Sequence, residues 1–221
     1  MTLDKEDIYD IAKAVVKVIE DKDMMKSEET FTSDDVENFH ITTTEKVGLK
    51  ILKPGEVFKV ADREWVVLNQ QRYSNTCFAI LKNCEHLKAR FGSDSNNWKH
   101  SSLWRELQKT LELKIRDHFH DENAMVLSER DLTALDGTTD YKSAFCKVSL
   151  LTLTEYRLYR RYIPKVYGTP WWLITPASTN NHAVCGVNYE GYVRSYFYND
   201  DNYIRPVCTF RADVLVEKVS D

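Results

Sequence analysis

The chain has 221 residues, 43% of them hydrophobic, which is enough for one large domain with a proper core and excludes wholesale disorder. Its net charge is −4, with Lys/Arg and Asp/Glu interspersed; a general nucleic-acid-binding surface would need a basic stripe to displace counterions. No segment has the uninterrupted apolar length of a membrane span. The acidic start, Met1-Thr2-Leu3-Asp4-Lys5-Glu6-Asp7, lacks the basic and apolar regions of a secretory signal, so synthesis in the cytosol is expected.

In chain order, Asp4 to about Asp23 reads as a helix, with Ile8, Ile11, Val15 and Val18 at three- and four-residue steps. Such a helix either docks on its own domain or serves attachment and oligomerisation. Residues 24–45 are polar and aperiodic, as in a linker. From residue 46 onward a globular domain is expected to run to 221. Val57-Phe58-Lys59-Val60 and Glu64-Trp65-Val66-Val67-Leu68 form a hairpin around Ala61-Asp62-Arg63, and Phe78-Ala79-Ile80-Leu81 is a third strand. A helix follows over Ser101 to about Phe119, its core stripe Leu103, Leu107, Leu111 and Ile115. Ser128-Glu129-Arg130-Asp131 and Thr152-Leu153-Thr154-Glu155 have the capping-box pattern and predict two short helices, the second stopped by Pro164.

The remainder is β in character: Trp171 to Ile174, Ala183 to Val187, Tyr192 to Tyr198, Ile204 to Phe210, and Val214 to Val216. Glu190-Gly191 sits where a tight turn needs a positive φ. Strands, then helices, then strands predict an α+β domain with an irregular antiparallel sheet and about two to three helices.

Chemistry-bearing motifs are sparse. The cysteines are Cys77, Cys84, Cys146, Cys185 and Cys208, an odd number with no CxxC spacing, and no histidine stands at ligand spacing from a cysteine pair. No nucleophile elbow, zincin helix or phosphate loop is present. No catalytic residue, metal or cofactor is therefore expected. Asn199-Asp200-Asp201-Asn202 reads as a solvated turn rather than the convergent oxygens calcium needs.

The segment that reads as functional is 177–205, which holds five Tyr and five Asn. Tyrosine offers a large amphipathic contact area at low entropic cost, and Asn and Ser offer adaptable hydrogen bonds, the mixture antibody paratopes use. The candidate ligand-binding residues are Asn180, Asn181, His182, Asn188, Tyr189, Tyr192, Arg194, Tyr196, Tyr198, Asn199, Asp200, Asn202 and Tyr203. Strand alternation puts Tyr192, Arg194, Tyr196 and Tyr198 on one face, expected to be the displayed one. Trp171, Trp172, Arg205 and Pro206 are expected to be scaffold. The residue before proline is held extended, so the Arg205 guanidinium should brace a loop through carbonyls or a carboxylate.

Taken together, Glu64-Trp65-Val66-Val67-Leu68, Asn97-Trp98-Lys99-His100-Ser101-Ser102-Leu103, Val148-Ser149-Leu150-Leu151-Thr152, Trp171-Trp172-Leu173-Ile174-Thr175-Pro176, Val187 with Gly191, and Ile204-Arg205-Pro206-Val207-Cys208 carry a resemblance. In this order they resemble a domain family of unknown function found in prophages and gut Firmicutes, marked by a WWLR(S/T)P … V…G … VRP ending. Ile174 replaces the Arg common there, and Ile204 a Val. The resemblance covers about residues 46 to 217. It implies a C-type-lectin-like fold, shared with formylglycine-generating enzymes and the variable proteins of diversity-generating retroelements.

The function it implies is a phage or prophage virion protein of tail-tip, fibre or receptor-recognition type, not an enzyme. Its partners would be a host-surface protein or glycan and other virion subunits, in a homo-oligomer such as a trimer. The alternative is a capsid or baseplate decoration subunit without external ligand. An oxidase-like enzyme of the formylglycine-generating type would need Cys185 and Cys208 to meet across neighbouring strands.

Overall fold

A computed structural model describes residues 46–168 and 170–219. The helix expected over residues 4–23 and the linker at 24–45 lie outside the described residues. The domain is α+β and mostly antiparallel, as the order of elements predicts.

β1 (Lys46–Gly48), β2 (Val57–Val60), β3 (Arg63–Gln71) and β4 (Thr76–Leu81) are followed by β5 (Glu85–Ala89). The β2–β3 turn is tight because Ala61 and Asp62 both take positive φ, 52° and 58°, letting Val60 pair with Arg63. Helices α1 (Ser102–Lys109) and α2 (Leu111–Phe119) come next. β6 (Ser128–Asp131), β7 (Ser143–Cys146) and β8 (Val148–Ser149) then lead to helix α3 (Leu153–Tyr159) and the 3-10 turn Arg160–Tyr162. β9 (Trp171–Pro176), β10 (Ala183–Val187), β11 (Val193–Phe197), β12 (Asn202–Ile204), β13 (Val207–Arg211) and β14 (Leu215–Val219) complete the series.

A seven-stranded sheet has the order β1-β14-β2-β3-β4-β13-β8, and a five-stranded sheet the order β11-β10-β9-β12-β5. The β12–β9 pairing is parallel; its neighbours are antiparallel. The central strands are buried on both faces. In β9, Trp172 and Ile174 join one apolar cluster with Leu103, Leu107, Leu111 and Ile115, while Trp171 and Leu173 join a second with Leu153 and Tyr156. β3 and β4 alternate the same way, Trp65 and Val67 against Val66 and Leu68. Two-sided burial explains why these strands read as continuous apolar runs rather than alternating ones.

Four expectations are corrected. The helix over 101–119 is two helices: the Thr110 hydroxyl donates to the Glu106 carbonyl at 2.8 Å and its backbone departs to φ −109°, ψ −69°. The Leu103-to-Ile115 stripe nevertheless stays on one core. The helix expected at Ser128 is strand β6 instead. The Asp131 carboxylate accepts from both the backbone N–H (2.9 Å) and the hydroxyl (2.7 Å) of Thr133, capping a turn rather than a helix. The strand expected over Ile204–Phe210 is two strands in different sheets, divided at Arg205-Pro206. The last strand, expected at Val214–Val216, lies at Leu215–Val219.

The other capping box is formed as predicted, with Glu155 N–H on the Thr152 hydroxyl (3.1 Å) and Thr152 N–H on the Glu155 carboxylate (2.8 Å). That carboxylate also pairs with buried Arg130.

Candidate ligand-binding edge and cleft

Eleven of the thirteen candidate residues lie on the β10–β11 hairpin and the loops that flank it, and Asn202 and Tyr203 lie on β12; among the described residues β11 is an edge of the five-stranded sheet. β10 is five residues long, so at about 3.3 Å per residue the two ends of the hairpin lie roughly 15 Å apart. This divides the candidates into two groups rather than one surface. Asn180, Asn181, His182, Asn199 and Asp200 stand at the end fed by the 177–182 loop. Asn188, Tyr189, Tyr192 and Arg194 stand at the turn end.

At the loop end, support comes from residues the sequence did not single out. Buried Asn96 donates to the carbonyls of Ser178 (2.7 Å) and Ala183 (2.9 Å), and the Tyr141 hydroxyl donates to Asn96 Oδ1 (2.7 Å) and to the Thr179 carbonyl (3.2 Å). Asn181 Oδ1 accepts from Ala183 N–H. Asn180, Asn181 and His182 are exposed on this braced loop. Asp200 turns the chain after β11, its carboxylate accepting from Phe197 N–H at 2.9 Å. Among the described residues no cluster of His, Cys, Asp and Glu could hold a metal.

At the turn end, Asn188 Oδ1 accepts from the N–H groups of both Glu190 (3.1 Å) and Tyr192 (2.8 Å), and Gly191 takes φ +85°. Tyr189 and Tyr192 are 55% and 52% exposed on this fixed turn, and Arg194 lies over the Tyr192 ring with its Cζ 5.7 Å from the centroid.

The tyrosine face is not displayed as a whole. Tyr196 is half-buried on the core, its ring edge-to-face with Trp172 at 6.1 Å, over Gly186, where any Cβ would meet that ring at 2.9 Å. Tyr198 is half-buried too, against the core and edge-to-face with His182 at 5.5 Å. Asn202 is 3% exposed and Tyr203 is half-buried beneath Lys88. The reason is register. Tyr196 pairs with Val184, whose side chain is in the core, so the same face that exposes Tyr192 at the turn meets packing atoms two residue pairs further along. On the opposite face of β11, Phe197 is 63% exposed.

Beside the turn lies a cleft of about 220 Å³, walled by the 3-10 turn and the irregular segment 163–166 on one side and the Asn188–Gly191 turn on the other. Its floor is Tyr156, Trp171, Val187 and Arg205, all buried; its rim is Arg160, Arg161, Lys165, Tyr189 and Glu190, all exposed. Arg205 is fully buried and donates to three carbonyls: Nε to Leu81 (2.9 Å), Nη1 to Pro164 (2.8 Å) and Nη2 to Lys82 (2.5 Å). Its cation lies over the Trp171 ring at 5.4 Å. Burial pulls its pKa down to about 10. The expected bracing role is therefore present, through carbonyls. Trp171 and Arg205, read as scaffold alone, also line a cavity. The Tyr156 hydroxyl donates to the Gly191 carbonyl at 2.8 Å, locking helix α3 to the turn.

Cys185 and Cys208 belong to different apolar clusters and different sheets, and neither is in a disulfide. The pair that an oxidase-like reading needs is not assembled. Burial raises the thiol pKa of Cys77 to about 12, of Cys185 to about 11, and of Cys208 well above its ordinary value. A folded-state pKa above the unfolded one gives stability that is complete below pH about 9 and is lost as pH rises through the raised values. Denaturant titrations at pH 8 and roughly pH 10.5 should differ by about 2 kcal/mol for each of Cys77 and Cys185, and Cys77→Ala should shrink the difference. In native protein at pH 8, half-buried Cys84 should react with a thiol reagent well before the four buried cysteines.

Compared with known proteins, the chain matches no family model, no curated protein and no solved structure.

Proposed function

We propose that the domain is a recognition module of C-type-lectin-like type, carried on a phage or prophage particle, that binds a protein or glycan of the host surface through the free edge of its five-stranded sheet. The antiparallel α+β architecture and the motif series quoted above support the fold reading, and the phage setting rests on that series alone. The observation that carries the binding reading is the placement of Tyr189, Tyr192 and Phe197. All three are more than half exposed, on an edge strand and a turn fixed by Asn188, while Tyr196 anchors the edge strand on the core. Scattered exposed aromatics are ordinary on a protein surface. Tyr189 and Tyr192, beside an arginine and a cleft on a rigid support, match the anatomy of a binding hot spot, and Phe197 extends the exposed aromatic surface to the other end of the edge strand, on its opposite face.

Fluorescently labelled protein, incubated with a panel of Firmicutes cells, should be retained by a subset of strains. Protease-treated and periodate-treated cells separate the two classes of target, since each treatment removes one of them. Failure of every strain to retain the protein would count against host recognition. It would favour a decoration subunit whose edge is covered by neighbouring virion proteins.

A further inference from the structure

The cleft beside the turn contains four cationic side chains, Arg160, Arg161, Lys165 and Arg205, and one carboxylate, Glu190. Among the described residues none of the four cations makes an ion pair, and Glu190 bonds only to the Asn188 amide, at 3.2 Å. Arg205 is the unusual member. A fully buried guanidinium normally faces a carboxylate, because desolvating a charge is costly unless it is paired. Here the partners are three neutral carbonyls. A guanidinium has five N–H donors; one is used on Nε, one on Nη1 and one on Nη2, leaving one N–H on each terminal nitrogen. These remaining N–H groups can still donate to an anion.

We propose that this cleft is an anion-binding site, which takes the carboxylate of an acidic sugar or a phosphate ester on the Arg205 floor, with Arg160, Arg161 and Lys165 closing over it. The cleft is smaller than the roughly 300–1,000 Å³ that encloses a drug-sized ligand, so it suits one acidic headgroup or monosaccharide rather than a polyanion. This deepens the recognition reading and rests on it for the rest of the ligand: Tyr189 stands at the rim where the neutral part of a sugar chain would leave the cleft.

The test is a titration of ¹⁵N-labelled protein with inorganic phosphate, glucuronate and glucose, read as backbone amide shifts. Phosphate and glucuronate should move the amides of Asn188–Gly191 and of Lys165 and Val166 saturably, glucose should not, and added salt should weaken the effect. The variant Arg160→Ala/Arg161→Ala/Lys165→Ala removes exposed side chains that make no hydrogen bond among the described residues, so its thermal midpoint should be retained while affinity falls about tenfold or more. Tighter binding of glucuronate assigns the site to acidic sugars; tighter binding of phosphate assigns it to phosphate esters. No saturable shift with either anion, or equal binding by wild type and the triple variant, overturns the proposal. Tyr192→Ala/Phe197→Ala should keep anion binding, so loss of cell retention in that variant with anion binding intact tests the edge separately from the cleft.

Discussion

Replacing Arg205 by Met should lower stability by about 3–5 kcal/mol, the range for removing one member of a buried polar network and leaving its partners unpaired. The carbonyls of Leu81, Lys82 and Pro164 would each lose their donor in a site with little access to water. For a domain of this size that corresponds to a fall of roughly 10 °C in the thermal midpoint. The three carbonyls come from two distant parts of the chain, so the loss is more than local. Leu81 ends β4 and Lys82 follows it, while Pro164 is in the segment that leaves helix α3 and forms one wall of the cleft. Arg205→Lys should fall between wild type and Arg205→Met. An ammonium keeps the charge but lacks the planar fork that reaches three carbonyls in different directions. Differential scanning calorimetry on the three proteins reads this order directly, and an Arg205→Met midpoint within a degree or two of wild type would remove Arg205 from its bracing role.

Trp172→Ala should be comparably damaging, at about 3–5 kcal/mol, because it opens a cavity where an indole packs on Phe91 at 5.7 Å and on Tyr196 at 6.1 Å. It also leaves the Ala89 carbonyl, which the indole N–H meets at 2.8 Å, without that donor. The effect on the edge strand is specific. Tyr196 rests on this indole across Gly186, so its ring loses its support and the β11 edge should loosen. Hydrogen exchange in β11 should therefore accelerate beyond what the global loss of stability accounts for. Tyr196→Ala should reproduce part of the stability loss, whereas Tyr192→Ala, at an exposed position, should change it by less than about 0.5 kcal/mol.

The contrast between Tyr192 and Tyr196 marks where sequence reasoning ends. Both are tyrosines on the same face of one strand by alternation, and nothing local separates them. The difference lies in what the partner strand offers: Tyr196 pairs with Val184, in the core, whereas Tyr192 has already left the ladder at the turn. The Leu103–Ile115 stripe and the paired indoles were legible because periodicity reports burial directly. The Asn188-to-Gly191 turn was legible because only a few residue types take its backbone geometry. Ser128-Glu129-Arg130-Asp131 misled because capping residues satisfy turns as readily as helix ends, and here Asp131 serves Thr133.

The cleft was not legible at all. Arg160, Arg161 and Lys165 look like ordinary surface charges when read locally, and Arg205 reads as a brace. They converge because helix α3 is tied to the Gly191 turn by Tyr156, and because Arg205 reaches back to Pro164, contacts 35 and 41 residues apart in the chain. Asn96 and Tyr141 escaped notice for the same reason: they support the 177–182 loop from segments 82 and 38 residues away in sequence.

The central claim is that Tyr189, Tyr192 and Phe197 are held out for a ligand by a frame that does not need them. It is tested most directly by the cell retention of the variant Tyr189→Ala/Tyr192→Ala/Phe197→Ala, measured on strains that retain the wild-type protein. The expected result is a loss of retention of about tenfold or more, with the thermal midpoint within a degree or two of wild type. Full retention by the folded variant, or a collapse of its thermal midpoint, would contradict the claim.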